Sequence, residues 1–267
     1  MSRSETIITR LFIDQRLTHS EVLALAAPQS HLVRNVLRAQ AGQSVGLFNG
    51  LDGEWRGEIT ALAKSAVTVR VMDKRRDQAP SPDVWLCFAP LKKNAVDMIA
   101  TKATELGVSR LSPIMTERTA VSRINIERLR ANAIEAAEQC ERLDVPVIDE
   151  PRPLSQTLAV WPTDRPLLVC AEAGDAVPIG QAAHDLNTTA YGLMIGPEGG
   201  FSMTELDQMA SLSFVRPVGL GPRILRADTA AIAGLAICMG MTGMWADRPP
   251  NEAAFYSRTT TGRKQKS

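Results

Sequence analysis

From Val84 onward, short apolar runs alternate with stretches of helical period, and this alternation constrains the fold more than any other feature. Val84–Ala89, Leu111–Met115, Leu167–Ala171, Tyr191–Ile195 and Val215–Leu220 are runs of strand length. After the first run, Ala95, Val96, Ile99, Ala103 and Leu106 recur at spacings that place them on one helix face, and Gly107 marks the stop. Ile126, Leu129, Ala133, Ala137 and Cys140 repeat the pattern, and a last helix is predicted over about Thr229–Met241. A helix between successive strands returns the chain so that the next strand lies parallel to the last. The predicted class is α/β, a parallel sheet covered by helices on both faces.

The first 73 residues have another character. Leu11-Phe12-Ile13, Ser44–Phe48, Trp55–Ile59 and Ala66–Val71 read as short strands, with Asn49-Gly50 as a turn pair. One helix is predicted near Gln29–Arg38, where the spacing sets His31, Arg34 and Arg38 on a single face. Together these signals give a small barrel of about five or six strands over residues 1–73. Residues 74–83, KRRDQAPSPD, carry charge and prolines but no apolar anchor, and read as a linker. The α/β domain then spans 84–247, and the basic residues 248–267 read as a disordered tail.

Composition excludes several function classes. Aromatic residues make up only 4% of the 267, so stacked single-stranded bases do not dominate any binding surface. A net charge of +1 rules out a broad cationic field and leaves only local basic patches. Cys87, Cys140, Cys170 and Cys238 show no CxxC spacing, which argues against a disulfide framework or a metal site. His19, His184 and the cysteines take structural readings. MSRSETIITRLF lacks the apolar core of a signal peptide, and no run reaches membrane-spanning length. A cytoplasmic protein with neither membrane nor metal partner is expected.

Open parallel sheets bind ligands beyond the carboxyl ends of their strands. Three loops stand there: Ala171-Glu172-Ala173-Gly174, Gly196-Pro197-Glu198-Gly199-Gly200-Phe201, and Gly219 to Arg226 (GLGPRILR). In the second, glycines admit a ligand close to the backbone, and Ser202 with Glu205 forms a capping-box pattern that starts a helix. The Lys-Ser/Thr ending of a P-loop and the GxGxxG fingerprint are both absent, and Glu198 would repel phosphate. A ligand bearing adenosine without phosphate fits better. Taken singly, the loop reads equally well as an ordinary strand-to-helix turn. The third loop favours a shared pocket, since it sets Ile224 and Leu225 between Arg223 and Arg226 where surface loops seldom carry such apolar residues.

IGPEGGF followed by LGPRILRADTA resembles the signature pair of the SPOUT methyltransferases, and within them the bacterial 16S ribosomal RNA uridine-N3 methyltransferase family. RLF at Arg10–Phe12, HLVRNVLR at His31–Arg38, KATELGV at Lys102–Val108, ERT at Glu117–Thr119 and EAAEQCER at Glu135–Arg142 extend the resemblance over about residues 10–245. It implies a PUA-like N-terminal barrel, a catalytic domain with a C-terminal trefoil knot, a homodimer, S-adenosylmethionine as donor, and 16S ribosomal RNA or the small ribosomal subunit as partner. Two departures stand out. Ala227 and Asp228 replace the family's usual Thr and Glu, and Glu141 occupies a position where many relatives have Gly, read here as surface variation.

The donor site expected on this reading takes Ala171 and Glu172 from the first loop, and Ile195, Gly196, Pro197, Glu198, Gly199 and Gly200 from the second. Leu220, Gly221, Ile224, Leu225 and Ala230 complete it. Uridine N3 holds a proton at neutral pH, so a base or anion-stabilising donors would assist methyl transfer. Glu198 and Asp228 are the candidate bases, and Arg226 is the candidate for gripping a uracil oxygen or phosphate, or else an ion-pair partner of Asp228. Arg10, His31, Arg34, Arg38, Lys92 and Arg118 are candidates for RNA contact. The competing readings are a SPOUT enzyme acting on transfer RNA or a ribose 2′-hydroxyl, an inactive RNA-binding assembly factor, and a nucleotide-dependent oxidoreductase, against which the missing GxGxxG argues.

Overall fold

The computed structural model describes residues 6–79, 81–91, 93–121, 123–171 and 176–245, with only the backbone at Lys93. The expected Glu172 and Lys92 sites and the 248–267 tail lie outside the described residues.

Strands β1 (Ile7–Phe12), β2 (Val22–Ala24), β3 (Ser44–Phe48), β4 (Glu54–Leu62) and β5 (Val67–Arg76) form one sheet in the order β1-β3-β4-β5-β2. Only β1 and β3 pair in parallel. All five strands feed one core, with Leu11, Leu23, Leu47, Ile59 and Val69 at its centre. Alternate burial along β5 shows why: Val67, Val69 and Val71 point inward at the period of two that a strand dictates.

The predicted helix between β2 and β3 breaks in two. Helix α1 (Ala27–His31) passes into a π-helical turn over Leu32–Val36, closed by Leu37 N–H donating to Leu32 O at 2.9 Å. Arg38 lies beyond this turn with φ +51°. Arg34 Nη1 donates to the carbonyls of Ala63 (2.6 Å) and Lys64 (2.9 Å).

The second sheet runs β11 (Val177–Pro178), β13 (Val215–Gly219), β10 (Leu167–Cys170), β12 (Tyr191–Ile195), β6 (Val84–Phe88), β7 (Arg110–Met115) and β8 (Val147–Ile148), with β9 (Arg152–Pro153) also against β7. Every pairing is parallel. Helices α2 (Lys93–Leu106), α3 (Ile126–Gln139), α5 (Ile179–His184) and α7 (Ala227–Met241) contribute to the core on one face, where Leu86, Ile99, Leu129, Leu193 and Leu235 meet. Helices α4 (Leu154–Ala159) and α6 (Met203–Ala210) cover the other face over Cys87, Met194, Leu158 and Phe201. The predicted strands and long helices stand within a few residues of their expected bounds. The short β8, β9, β11, α4 and α5 were not anticipated, because each is too brief to show a period.

The first three residues of the expected linker extend a strand, and the rest is tied down by side chains. β5 continues through Arg76, and Ser81 Oγ donates to Asp144 Oδ1 at 2.6 Å. Asp83 accepts from Trp85 Nε1 and Ser109 Oγ and pairs with Arg165. Arg10, expected at RNA, is buried instead. Its Nη1 donates to the carbonyls of Ala137 (2.9 Å) and Glu138 (3.2 Å), its Nη2 to that of Arg142 (2.7 Å), and its Nε to Glu54 Oε2 (3.2 Å). The Ala137 and Glu138 carbonyls lie in the last turn of α3, where the helix dipole is negative. Burial pushes the Glu54 carboxyl up, but the hydrogen bond from Arg76 and the charges of Arg10, Arg76 and Arg75 outweigh it and hold it below the ordinary value.

Glu141 is more than surface variation. It follows Cys140, the C-cap of α3, with φ +64°, and its carbonyl accepts from Arg76 Nη2 at 3.0 Å. This is the position after a helix where glycine escapes the Cβ penalty of the left-handed region. Glu141→Gly is expected to raise unfolding stability by about 1 kcal/mol, seen as a higher urea midpoint at unchanged slope. An unchanged midpoint would show the strain to be relieved elsewhere.

Candidate functional site

The site forms because three strands end level with one another. Cys170 of β10 pairs with Ile195 of β12 on one side and with Val218 of β13 on the other. Neighbouring strands stand about 4.8 Å apart, so the loops leaving them emerge side by side. Ala171 is buried at the first exit, Ile195, Gly196 and Pro197 are buried at the second, and Leu220 is half-buried at the third. The register sets these exits side by side, with that of β10 between those of β12 and β13.

The second loop leaves β12 inside the fold and turns outward at Glu198, Gly199 and Gly200, all exposed. Phe201 folds back beneath it: a Cβ on Gly196 would stand 2.9 Å from the Phe201 ring. The glycine there answers a protein side chain as much as any ligand. The expected capping box is present. Ser202 Oγ accepts from Glu205 N–H at 3.2 Å, and Glu205 Oε2 accepts from Ser202 N–H at 2.8 Å.

The third loop is open. Gly221 has φ +100° and nothing within 4 Å of where a Cβ would sit, and Gly200 has φ +68° with the same free space. Ile224 is 86% exposed. Leu220 and Leu225 pack on the main core, and Ala230 is buried in the first turns of α7. Gly200 and Gly221 thus open onto solvent beside the apolar side chains of Leu220 and Leu225.

Arg226 is the N-cap residue of α7, with φ −64° and ψ 150°, and is exposed. Among the described residues it makes no ion pair with Asp228, so the structural reading of that pair is not realised. Asp228 Oδ1 instead accepts from Thr229 N–H (2.7 Å) and Oγ1 (3.3 Å), as suits a carboxylate in the first turn of a helix. The Glu198 and Arg226 side chains engage no other described residue in a hydrogen bond or ion pair.

Two site features were missed in the sequence. Arg118, expected at RNA, reaches across to the second loop, where its Nη1 donates to Gly199 O at 2.9 Å. Glu205 carries a second role beside capping: its Oε1 accepts from Glu117 N–H at 2.8 Å. Contacts spanning more than 80 residues leave no local pattern to find. Elsewhere, burial pushes the thiols of Cys87, Cys170 and Cys238 up to about 12, so none is a ready nucleophile. Among the described residues no cluster of His, Cys, Asp or Glu is arranged to hold a metal ion, and no helix is long and apolar enough to cross a membrane.

A family model described as an RNA methyltransferase domain matches residues 78–239, and one described as an RNA methyltransferase PUA domain matches 27–72. Ribosomal RNA small subunit methyltransferase E of Rickettsia conorii is 31% identical over 230 residues, covering 85% of this chain and 93% of the relative. The chain belongs to this methyltransferase family. The Synechocystis enzyme of the same name is also 31% identical, over 88% of this chain and 78% of its own length. Two solved structures match the methyltransferase over 87% of this chain and 97% of theirs. One is a methyltransferase from Legionella pneumophila in complex with S-adenosylmethionine (29% identity, TM-score 0.77). The other is the ribosomal RNA small subunit methyltransferase E of Neisseria gonorrhoeae bound to S-adenosylmethionine (25% identity, TM-score 0.78).

The packing of this methyltransferase at Gly196 carries a direct consequence. Gly196→Ala is expected to lower unfolding stability by about 1–3 kcal/mol through overpacking, and Phe201→Leu to recover part of that loss in the double variant. Strictly additive losses in denaturant titrations would mean that the ring does not oppose a side chain at 196.

Proposed function

We infer that the protein transfers a methyl group from S-adenosylmethionine to N3 of a uridine in 16S ribosomal RNA. The observation that carries this reading is the alignment of Cys170, Ile195 and Val218, from which three loops start side by side, with Gly200 and Gly221 open to solvent. The relatives' names and the two structures holding S-adenosylmethionine support the same assignment.

The residues present fit such a donor. Backbone groups of the Gly196–Phe201 loop and of Leu220 and Gly221 suit the adenine edge, and Leu225 and Ile224 offer apolar cover. When bound, the donor supplies an electrophilic methyl on a sulfonium, a reaction governed chiefly by alignment. Arg226 offers paired donors to a uracil oxygen or the adjoining phosphate and stabilises charge as N3 loses its proton. Glu198 and Asp228 remain the candidate proton acceptors. Glu198 has its oxygens unengaged by other described residues, whereas Asp228 already accepts two bonds from Thr229 on one oxygen.

Arg118 and Arg226 on the donor side, and the exposed His31 and Arg38 of the first domain, form the proposed RNA contacts. Arg34 joins them with the part of its guanidinium not bonded to Ala63 and Lys64. Arg10 serves by holding the two domains together. The apolar character of α7 round its whole circumference, with Ile237, Met241 and the nearby Trp245 left exposed, supports a homodimer through this helix. Placing β13 between β10 and β11, with α7 returning to pack on α2 and α5, supports a threaded C-terminal segment. Action on ribosomes puts the protein in the cytoplasm.

Mass spectrometry of ribosomal RNA nucleosides from cells with and without the protein tests the assignment. Loss of 3-methyluridine from the small subunit is the expected result. A methyl missing instead from transfer RNA or a ribose hydroxyl would move the target, and no difference would leave a binding protein. Arg226→Ala is expected to keep donor affinity in calorimetry and to slow single-turnover methylation about tenfold or more; an undiminished rate would remove it from the reaction. Arg10→Gln is expected to weaken RNA binding with the slope of affinity against salt unchanged. A slope shallower by about one would return Arg10 to a phosphate.

A further inference from the structure

Glu205 does more than cap a helix. In an ordinary capping box the glutamate satisfies the N-cap amide and nothing else. Here its Oε2 takes Ser202 N–H (2.8 Å) and its Oε1 takes Glu117 N–H (2.8 Å), so a single carboxylate holds backbone from two loops. The loop carrying Glu117 leaves β7, two strands away from β12 in the sheet. It is a tight turn: Thr119 N–H donates to Thr116 O at 3.2 Å, and Thr116 N–H donates to Thr119 Oγ1 at 2.9 Å. A second, independent tie runs the other way, from Arg118 Nη1 to Gly199 O at 2.9 Å. Each loop therefore supplies a group to the other.

We propose that Glu205 is a positioning residue for methyl transfer, locking the Thr116–Thr119 turn to the Gly196–Phe201 loop so that Arg118 stands at a fixed place beside the donor. The inference rests on the donor-binding reading of that loop. Two charge-assisted bonds from one carboxylate leave the turn little freedom to slide. The guanidinium of Arg118 spends one N–H group on Gly199 and keeps its remaining donors for the RNA. Without the Glu117 tie, the hydrogen bond left between the turn and the donor loop among the described residues is that of the long Arg118 side chain, and the bound RNA loses its alignment with the methyl group rather than its affinity.

The test compares Glu205→Gln with Ser202→Ala in the full-length protein. The amide introduced by Glu205→Gln retains one acceptor oxygen and so can serve only one of the two loops, whereas Ser202→Ala removes the other half of the cap and leaves both Glu205 acceptor bonds in place. Single-turnover methylation is measured at saturating S-adenosylmethionine, using small ribosomal subunits from cells lacking the protein. Donor affinity comes from calorimetry and folding from thermal melts. Glu205→Gln is expected to slow methylation about tenfold or more while donor affinity stays within about threefold. Ser202→Ala is expected to lower the melting temperature with the rate near that of the parent. Adding Arg118→Ala to Glu205→Gln is expected to cost less than the two separate losses combined, since both act through one turn. Equal rates for Glu205→Gln and Ser202→Ala would overturn the proposal, as would a loss of donor affinity matching the loss of rate. Failure of the parent protein to bind donor or methylate subunits would instead strike the functional reading beneath it.

Discussion

The parallel register of β10 with both of its neighbours is the constraint on which the rest depends. Because Cys170 stands opposite both Ile195 and Val218, three loops with no common sequence origin begin on one line. A shift of one residue in either pairing would turn every side chain of a strand to the other face of the sheet. The two different cores forbid that shift. Leu193 and Ile195 feed one face and Met194 the other, and helices cover both. The site is thus placed by packing far below it, while its own glycine and proline residues only shape the surface that packing presents.

A second level of organisation joins the domains. Glu54 is buried and meets Arg10, Arg75 and Arg76, and the excess positive charge faces the carbonyl end of α3. Such a cluster is costly to desolvate and costly to break one partner at a time. It also has direction, because a guanidinium fork accepts only a narrow set of carbonyl positions. Phe12 N–H donating to Glu138 Oε1 adds a further bond across the same junction. Burial pushes the Glu138 carboxyl up, against the opposing effect of that bond and of Arg10. The first domain is in this way fixed against α3 and the sheet that helix covers.

Much of this was legible in the chain. The strand and helix periods of residues 84–241 carried the α/β class, and Ser202 and Glu205 announced a helix start. What escaped shares a physical cause. Arg10 and Arg118 look like surface cations in sequence, since nothing local reveals a helix end 127 residues away or a glycine carbonyl 81 residues away. The π-helical turn at Leu32–Val36 keeps an apolar pattern close to that of an α-helix, so its wider hydrogen bonding leaves no trace in the sequence. Glu141 looked like tolerated variation because side-chain chemistry, not backbone conformation, was all that could be compared there.

Sequence alone settled the longer strands and helices of residues 84–241 and the helix start at Ser202, because period and turn chemistry are local properties of the backbone. Tertiary structure decided which of the charged residues face solvent and which are consumed in joining parts. The partner of a guanidinium or a carboxylate is whatever the fold brings within hydrogen-bonding distance, and for Arg10, Arg118 and Glu205 that partner lies on a distant stretch of chain.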